Sequence, residues 1–348
     1  MKIKCHSGER GIALIIVMIV ITILAILAGH FAASMQVETM LARNAAVEPD
    51  SEWLARGAFE EFRSLLAENN EPITHLGQAW AGGPITNGCF EGYDLHHFPV
   101  GTGGDFVDFT EREDQERYFN INIADETILR QALILIGVDA AQHGAIMDSI
   151  LDWRDPDESA RMNGAETSDY QNAWLPHTSK NGPLDDISEL LLIHGITEQP
   201  QIFSKYFAKQ GASMISRHSR LGASKFEEVA YQTTMTDLFT AVSGRLVNLN
   251  TASAEVLQLV PEIDKNLADA AVSGPAGRSG TDGPFKSVQD FAARMALRPE
   301  ALPLLTRYFN VQSLVFKVTV KTDRGGTYHA LFRRNSPRDI QMLYMDSD

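Results

Sequence analysis

The sequence predicts an α+β chain: a long N-terminal helix, a small antiparallel sheet, and a large all-α insertion that splits the strands of that sheet. Three observations carry this expectation. Residues 12–29 are an unbroken apolar run, and helical spacing continues beyond it. Strand-like alternation is concentrated before residue 116 and after residue 313. The stretch between repeats itself, starting at Asn120-Ile121-Asn122-Ile123-Ala124 and again at Asn248-Leu249-Asn250-Thr251-Ala252.

The apolar run has Thr22 as its one hydroxyl and no proline. As a helix it would be ~27 Å long, close to a bilayer's ~30 Å hydrocarbon core. Lys2, Lys4 and Arg10 precede it against Glu9, which places the N-terminus in the cytoplasm and the bulk outside. Three readings of this segment compete. A permanent single-pass anchor needs only the composition. A secretory signal peptide would use Ala32-x-Ser34, but its apolar region should span only ~7–15 residues. In the third reading, the basic leader ends in Gly11 before the apolar run. That resembles a prepilin leader, cut between Gly11 and Ile12 with the apolar segment retained and Ile12 methylated. Most pilins and pseudopilins have Glu as the fifth mature residue; Ile16 stands there in this chain.

The helical pattern then continues through Phe31 and Met35, and through Val37, Leu41 and Ala45, giving a helix ~55 Å long from residue 12 to 48. Pro49 is expected to kink or break it, with Asp50 or Ser51 capping a restart whose apolar face is Leu54, Ala58, Phe62 and Leu65. Short strands are expected at 89–93 and 105–109. The glycines at 101, 103 and 104 open no helix and lack the phosphate-loop spacing, so they read as a hairpin loop. His96-His97 reads as a solvated pair, because neighbours on a strand point to opposite faces. Beyond residue 313, strands are expected at 314–320, 328–332 and 340–345, with the turn at Asp323-Arg324-Gly325-Gly326. Each group of strands is too small for a robust sheet alone, so the two are expected to join against the stem helix.

The repeat extends past its Asn-x-Asn starts. Gly182-Pro183-Leu184 matches Gly283-Pro284-Phe285, and Lys205-Tyr206-Phe207 matches Arg307-Tyr308-Phe309. The offset falls from 128 to about 101, so the first copy carries about 27 extra residues. Each copy resembles a helix-hairpin-helix or SAM-like module. The Gly-rich hairpin that would hold nucleic-acid phosphate is missing from both, and the formal charge is −15. Removing residues 1–11 takes that charge to −17. A polyanion repels phosphate, so nucleic acid is disfavoured as a partner. The same cleavage would remove Cys5 and leave Cys89 alone, with no internal disulfide possible.

The extra residues, about 152–180, are acidic: Asp152, Asp155, Asp157 and Glu158 fall within seven positions, and Glu166 and Asp169 follow. Calcium takes six to eight hard oxygen ligands from flexible loops. The candidate ligands are Asp152, Asp155, Asp157 and Glu166, although the spacing is not that of an EF-hand. A solvated loop with Asp155-Pro156 as a turn is the competing reading. Zinc is disfavoured, since the loop offers no cysteine and only His177. An acid–base site at Trp153, Asp155, Glu166 and His177 would need defined carboxylate separations. The chain has no G-x-S-x-G, P-loop or H-E-x-x-H motif, so the expectation is that it is not an enzyme.

Leu151-Asp152-Trp153-x-Asp155-x-Asp157, Asn163-Gly164-Ala165-Glu166, Tyr170 and Asn181-Gly182-Pro183, together with the leader and Ile16, resemble the K-type minor pseudopilins of type II secretion. The resemblance covers essentially the whole chain. It implies a pilin-like head with bound calcium and a large α-domain, and a place at the tip of the pseudopilus, where the subunit initiates assembly and aids export across the outer membrane. Implied partners are the I- and J-type minor pseudopilins, the major pseudopilin, the prepilin peptidase, the inner-membrane secretion platform and the inner membrane itself, crossed once with the bulk periplasmic. The expected partition is leader 1–11, transmembrane helix 12–29, stem and first strands 30–116, first helical unit with acidic loop and linker 117–245, second helical unit 246–312, and closing strands 313–348. The alternative is an anchored periplasmic binding protein with helix-hairpin-helix-like modules that keeps residues 1–11.

Overall fold

The computed structural model describes residues 9–68, 71–85, 91–92, 95–100, 104–172, 176–196, 198–199, 202–203 and 233–347, the side chains of 9–13 and 43–49 apart. Cys5 and Cys89 lie outside these residues. So do Phe90 and Tyr93 of the expected strand, and Glu91-Gly92 form a turn there instead, with Gly92 at φ 81°.

Helix α1 runs unbroken from Glu9 to Glu68. It does not end or restart at Pro49, contrary to the sequence expectation. A proline removes one backbone donor and crowds the preceding turn, and contacts just beyond it hold the helix in place. Ser51 Oγ meets Thr322 Oγ1 at 2.6 Å and donates to the Gly325 carbonyl. Arg324 pairs with Asp50 at 2.9 Å and with Asp105 at 2.7 Å. One hairpin turn thus clasps the helix where the proline weakens it.

Five antiparallel strands form the sheet: β1 (Phe98–Val100), β2 (Asp105–Asp114), β7 (Val315–Thr322), β8 (Thr327–Ser336) and β9 (Asp339–Ser347), in the order β1-β2-β7-β8-β9. Strands from both ends of the chain therefore meet at β2–β7, where Val107 faces Thr322 and Asp114 faces Phe316. The period-2 pattern turns Phe316, Val318 and Val320 toward α1. There they meet the buried helix face Ala55, Ala58, Phe59, Phe62, Leu65 and Leu66. Phe62 lies 5.9 Å from Phe109 and 5.7 Å from Phe332, ring centre to ring centre.

A second, larger core fills the helical insertion, and its two copies share a hydrogen-bonded frame. Copy one opens on β3 (Phe119–Asn120), which pairs in parallel with β4 (Phe239–Thr240). Copy two opens on β5 (Val247–Asn248), which pairs in parallel with β6 (Phe309–Asn310). Asn122 exchanges two hydrogen bonds with the Leu184 backbone, at 2.9 and 2.7 Å. Asn250 does the same with Phe285, at 2.9 and 2.7 Å. Arg154 donates to the carbonyls of Ile121 and Ala124, and Arg278 donates to those of Leu249 and Ala252. Burial lowers the pKa of both guanidinium groups to about 10. The expected match of 205–207 to 307–309 falls on undescribed residues at 205–207; the strand pairing puts Phe239 in the place of Phe309.

The seam between the two cores is polar. Asp114, at the end of β2, accepts from Ser313 Oγ and Thr251 Oγ1, each at 2.5 Å. Glu116 accepts backbone N–H groups from Gly244 (2.9 Å), Leu314 (3.2 Å) and Val315 (2.9 Å). Burial raises the pKa of both carboxyls, that of Glu116 to about 8 with the help of the Asp114 charge.

Candidate metal centre and membrane helix

Helix α2 (Glu126–Ile136) is capped by the Asp125 carboxylate and ends on Gly137 in the left-handed region, which only glycine adopts at little cost. Helix α3 (Ala140–Arg154) packs beside it and delivers Asp152 and Trp153, both buried, to the mouth of the acidic loop. The Arg154 side chain turns back to the Asn-x-Asn turn, and the chain continues beyond α3 through Asp155-Pro156-Asp157. It returns at Glu166, which precedes helix α4 (Thr167–Gln171).

The loop gathers one oxygen each of Asp155, Asp157 and Glu166 within 4.8 Å of one another. Ligands on opposite sides of one calcium ion, each at ~2.3–2.6 Å, stand up to ~5 Å apart, so one ion can reach all three. Asp157 is exposed, Asp155 half-buried and Glu166 buried. Neither carboxylate oxygen of Glu166 has a hydrogen-bond partner, and neither has Asp155 Oδ1. Asn181 Oδ1 is likewise buried and unpartnered, while its amide donates to Glu158 at 2.8 Å. Desolvation, then the charges of Asp152, Glu158, Asp155 and Asp157, push the Glu166 pKa up to about 7. Orphaned buried oxygens that repel one another are an arrangement a hard dication would relieve.

Asp152, the fourth acid of the sequence reading, is not among the three whose oxygens lie within 4.8 Å of one another, although its charge is the largest acting on Glu166. It is fully buried, with Oδ1 accepting from Arg161 Nη1 at 2.5 Å and Oδ2 accepting from the Arg161 backbone N–H at 3.0 Å. Arg161 was not among the sequence candidates. It is the one Lys or Arg in residues 155–179, and that was its only signal. His177 is engaged in packing: its ring lies 4.8 Å from Tyr170 and 6.0 Å from Trp153, and Nε2 faces the Leu192 carbonyl at 3.1 Å.

At the other end of the molecule, Leu14–Ala42 form an apolar stretch of α1 with a window of mean hydropathy 2.8, none of it buried within the chain. It is a candidate membrane anchor by length and composition. Thr22 and Thr39 donate their hydroxyls to carbonyls four residues back, at 2.8 and 2.6 Å, so neither carries an unsatisfied donor into an apolar setting. Gly11 and Ile12 sit in the first turns of this helix, and Ile16 is exposed on its surface.

Residues 109–201 match the family model described as "Type II secretion system (T2SS), protein K". Type II secretion system protein K of Pseudomonas aeruginosa is 24% identical over 333 residues, covering 89% of this chain and 85% of that protein. The protein K of Klebsiella pneumoniae is 26% identical and the putative protein K of Escherichia coli K12 is 28% identical, each over 210 residues and about three-fifths of its own length. Among solved structures, a chain of the GspK-GspI-GspJ complex from the enterotoxigenic Escherichia coli type 2 secretion system aligns with a TM-score of 0.63 at 18% identity. That alignment covers 88% of this chain and 99% of the other. The likeness is one of fold.

Proposed function

We propose that the chain is a minor pseudopilin of the type II secretion system, of the protein K family, and that it caps the pseudopilus tip without catalysing a reaction. The observation that carries this reading is the shape of the chain around α1. The exposed apolar half of the helix can join other helices, whereas the other half is packed under a sheet whose strands are split by a helical insertion with its own large core. A body of that bulk above the stem obstructs lateral neighbours everywhere but at an end. Ile16 agrees. In pilin-like filaments the fifth-residue carboxylate pairs with a neighbour's N-terminal amine, and a subunit with nothing above it would leave that carboxylate buried and unpaired.

In this reading the prepilin peptidase cuts between Gly11 and Ile12, and Ile12 is methylated. The N-terminus faces the cytoplasm, the helix crosses the inner membrane once, and the bulk is periplasmic. The partners are the I- and J-type minor pseudopilins, the major pseudopilin and the secretion platform, and the assembly aids export of folded proteins across the outer membrane. The duplicated units, helix-hairpin-helix or SAM-like in kinship, serve as docking bodies and bind no nucleic acid. A calcium ion held by Asp155, Asp157 and Glu166 fixes the acidic loop, and the orphaned oxygens of Asp155 and Glu166 support it.

Mass spectrometry of the N-terminus from native membranes tests the premise of processing. A chain beginning at a methylated Ile12 is expected. An intact Met1, or a start at Met35, would favour a permanently anchored binding protein instead.

A further inference from the structure

We propose that Arg161 is the positioning residue of the acidic loop, holding Asp155 so that its second oxygen faces Asp157 and Glu166. This rests on the reading that calcium binds there. One nitrogen, Nη1, lies 2.5 Å from Asp152 Oδ1 and 2.7 Å from Asp155 Oδ2. Asp155 therefore divides its carboxylate. Oδ2 is taken by the guanidinium, Oδ1 is buried and unpartnered, and one oxygen of this carboxylate belongs to the trio.

Two alternatives fit less well. Arg161 could compete for the ion's place. Its ion pairs are with Asp152 and Asp155, however, and neither Asp157 nor Glu166 appears among the charges acting on it. Alternatively, Arg161 could serve Asp152 alone. In that case the shared contact with Asp155 would be superfluous, and Asp155 would have no reason to keep one oxygen free and buried.

The loop is also shaped around this pair before any ion arrives. The Arg161 backbone N–H binds Asp152 Oδ2 at 3.0 Å, and a Cβ on Gly164 would fall 1.8 Å from the same oxygen. Only glycine lets the chain close there. Asp152 and Arg161 thus lock the middle of the loop to α3, and Asp155 inherits its orientation from that lock. Outer partners that orient metal ligands typically matter by ~10–100-fold in affinity.

Calorimetric titration of the full-length chain in detergent with calcium chloride tests this. Wild type and Arg161→Gln are compared, and melting in chelator confirms that each variant is folded. Arg161→Gln is expected to weaken calcium binding by about tenfold or more, and Arg161→Lys, which keeps one charged nitrogen between the carboxylates, to recover much of the loss. If Arg161→Gln does not fold with Asp152 left unpaired, the double variant Asp152→Asn with Arg161→Gln removes that orphan charge and should show the same weakening. A folded Arg161→Gln variant, single or combined with Asp152→Asn, that binds calcium as tightly as wild type, or more tightly, overturns the assignment. Wild type that takes up no calcium overturns the metal reading itself, an outcome separate from any difference among variants.

Discussion

Glu116 sits where the sheet hands the chain to the helical insertion, and its protonation should set how firmly the two are joined. Burial and the neighbouring Asp114 charge raise its pKa to about 8, against 4.5 for an exposed Glu. A carboxyl whose folded pKa exceeds its unfolded one binds its proton more tightly in the native state. Its contribution is fully present below about pH 4.5 and is lost as pH rises through about 8. Melting temperature should therefore fall from pH 5 to pH 9, and Glu116→Gln should flatten that decline. A slope left unchanged by the substitution would remove Glu116 as its source. A different single residue tests the duplicated frame. Asn250 is buried, with its amide and carbonyl both spent on the Phe285 backbone. Asn250→Ala strands both backbone groups and should cost about 3 kcal/mol, from the loss of two buried hydrogen bonds with their partners unsatisfied. Asn122→Ala, at the less buried equivalent, should cost less; urea unfolding of the two variants makes the comparison.

Among the elements, what could be read in advance was whatever depends on spacing. The Asn-x-Asn starts were legible because both asparagines of each copy do the same job at the same interval. The strands after residue 313 were legible because alternate residues face α1. Arg154 and Arg278 were missed although they perform one task, because they stand 124 residues apart, between the offsets of the front and rear halves. The pairing of Asp152 with Arg161 was not legible, because sequence shows proximity along the chain and not which carboxylate an arginine in the loop claims. The break expected at Pro49 followed from local propensity, which the clasp at Asp50 and Ser51 overrides. That clasp and the aromatic packing beneath it make α1 and the sheet one element in energetic terms. Phe62→Ala should cost about 3–5 kcal/mol, because Phe109 and Phe332 would face the cavity it leaves. The acidic loop is the element where stability should answer to a ligand. Calcium at about a hundred times its dissociation constant should add about 2.7 kcal/mol. Asp157→Asn, at an exposed member of the trio, should abolish that gain while leaving melting in chelator nearly unchanged.

For the whole molecule the decisive quantity is its place in the filament, and stoichiometry reads it. The helical insertion has a core of its own beside that of the α1–sheet body, and the apolar half of α1 is exposed. A subunit of this shape can close a helical stack, but it would block the next turn if repeated. The same holds at the level of charge, since Ile16 removes the carboxylate that a subunit above would have to neutralise. Both arguments predict a fixed number of copies per filament end, independent of filament length. In preparations of pseudopili that differ in mean length, quantitative mass spectrometry of sheared filaments should show this chain diluted in proportion to that length. A constant ratio to the major subunit at all lengths would mean that it is built in along the shaft. In that case the bulk of the insertion would have to be accommodated between neighbours, and the tip assignment would fall.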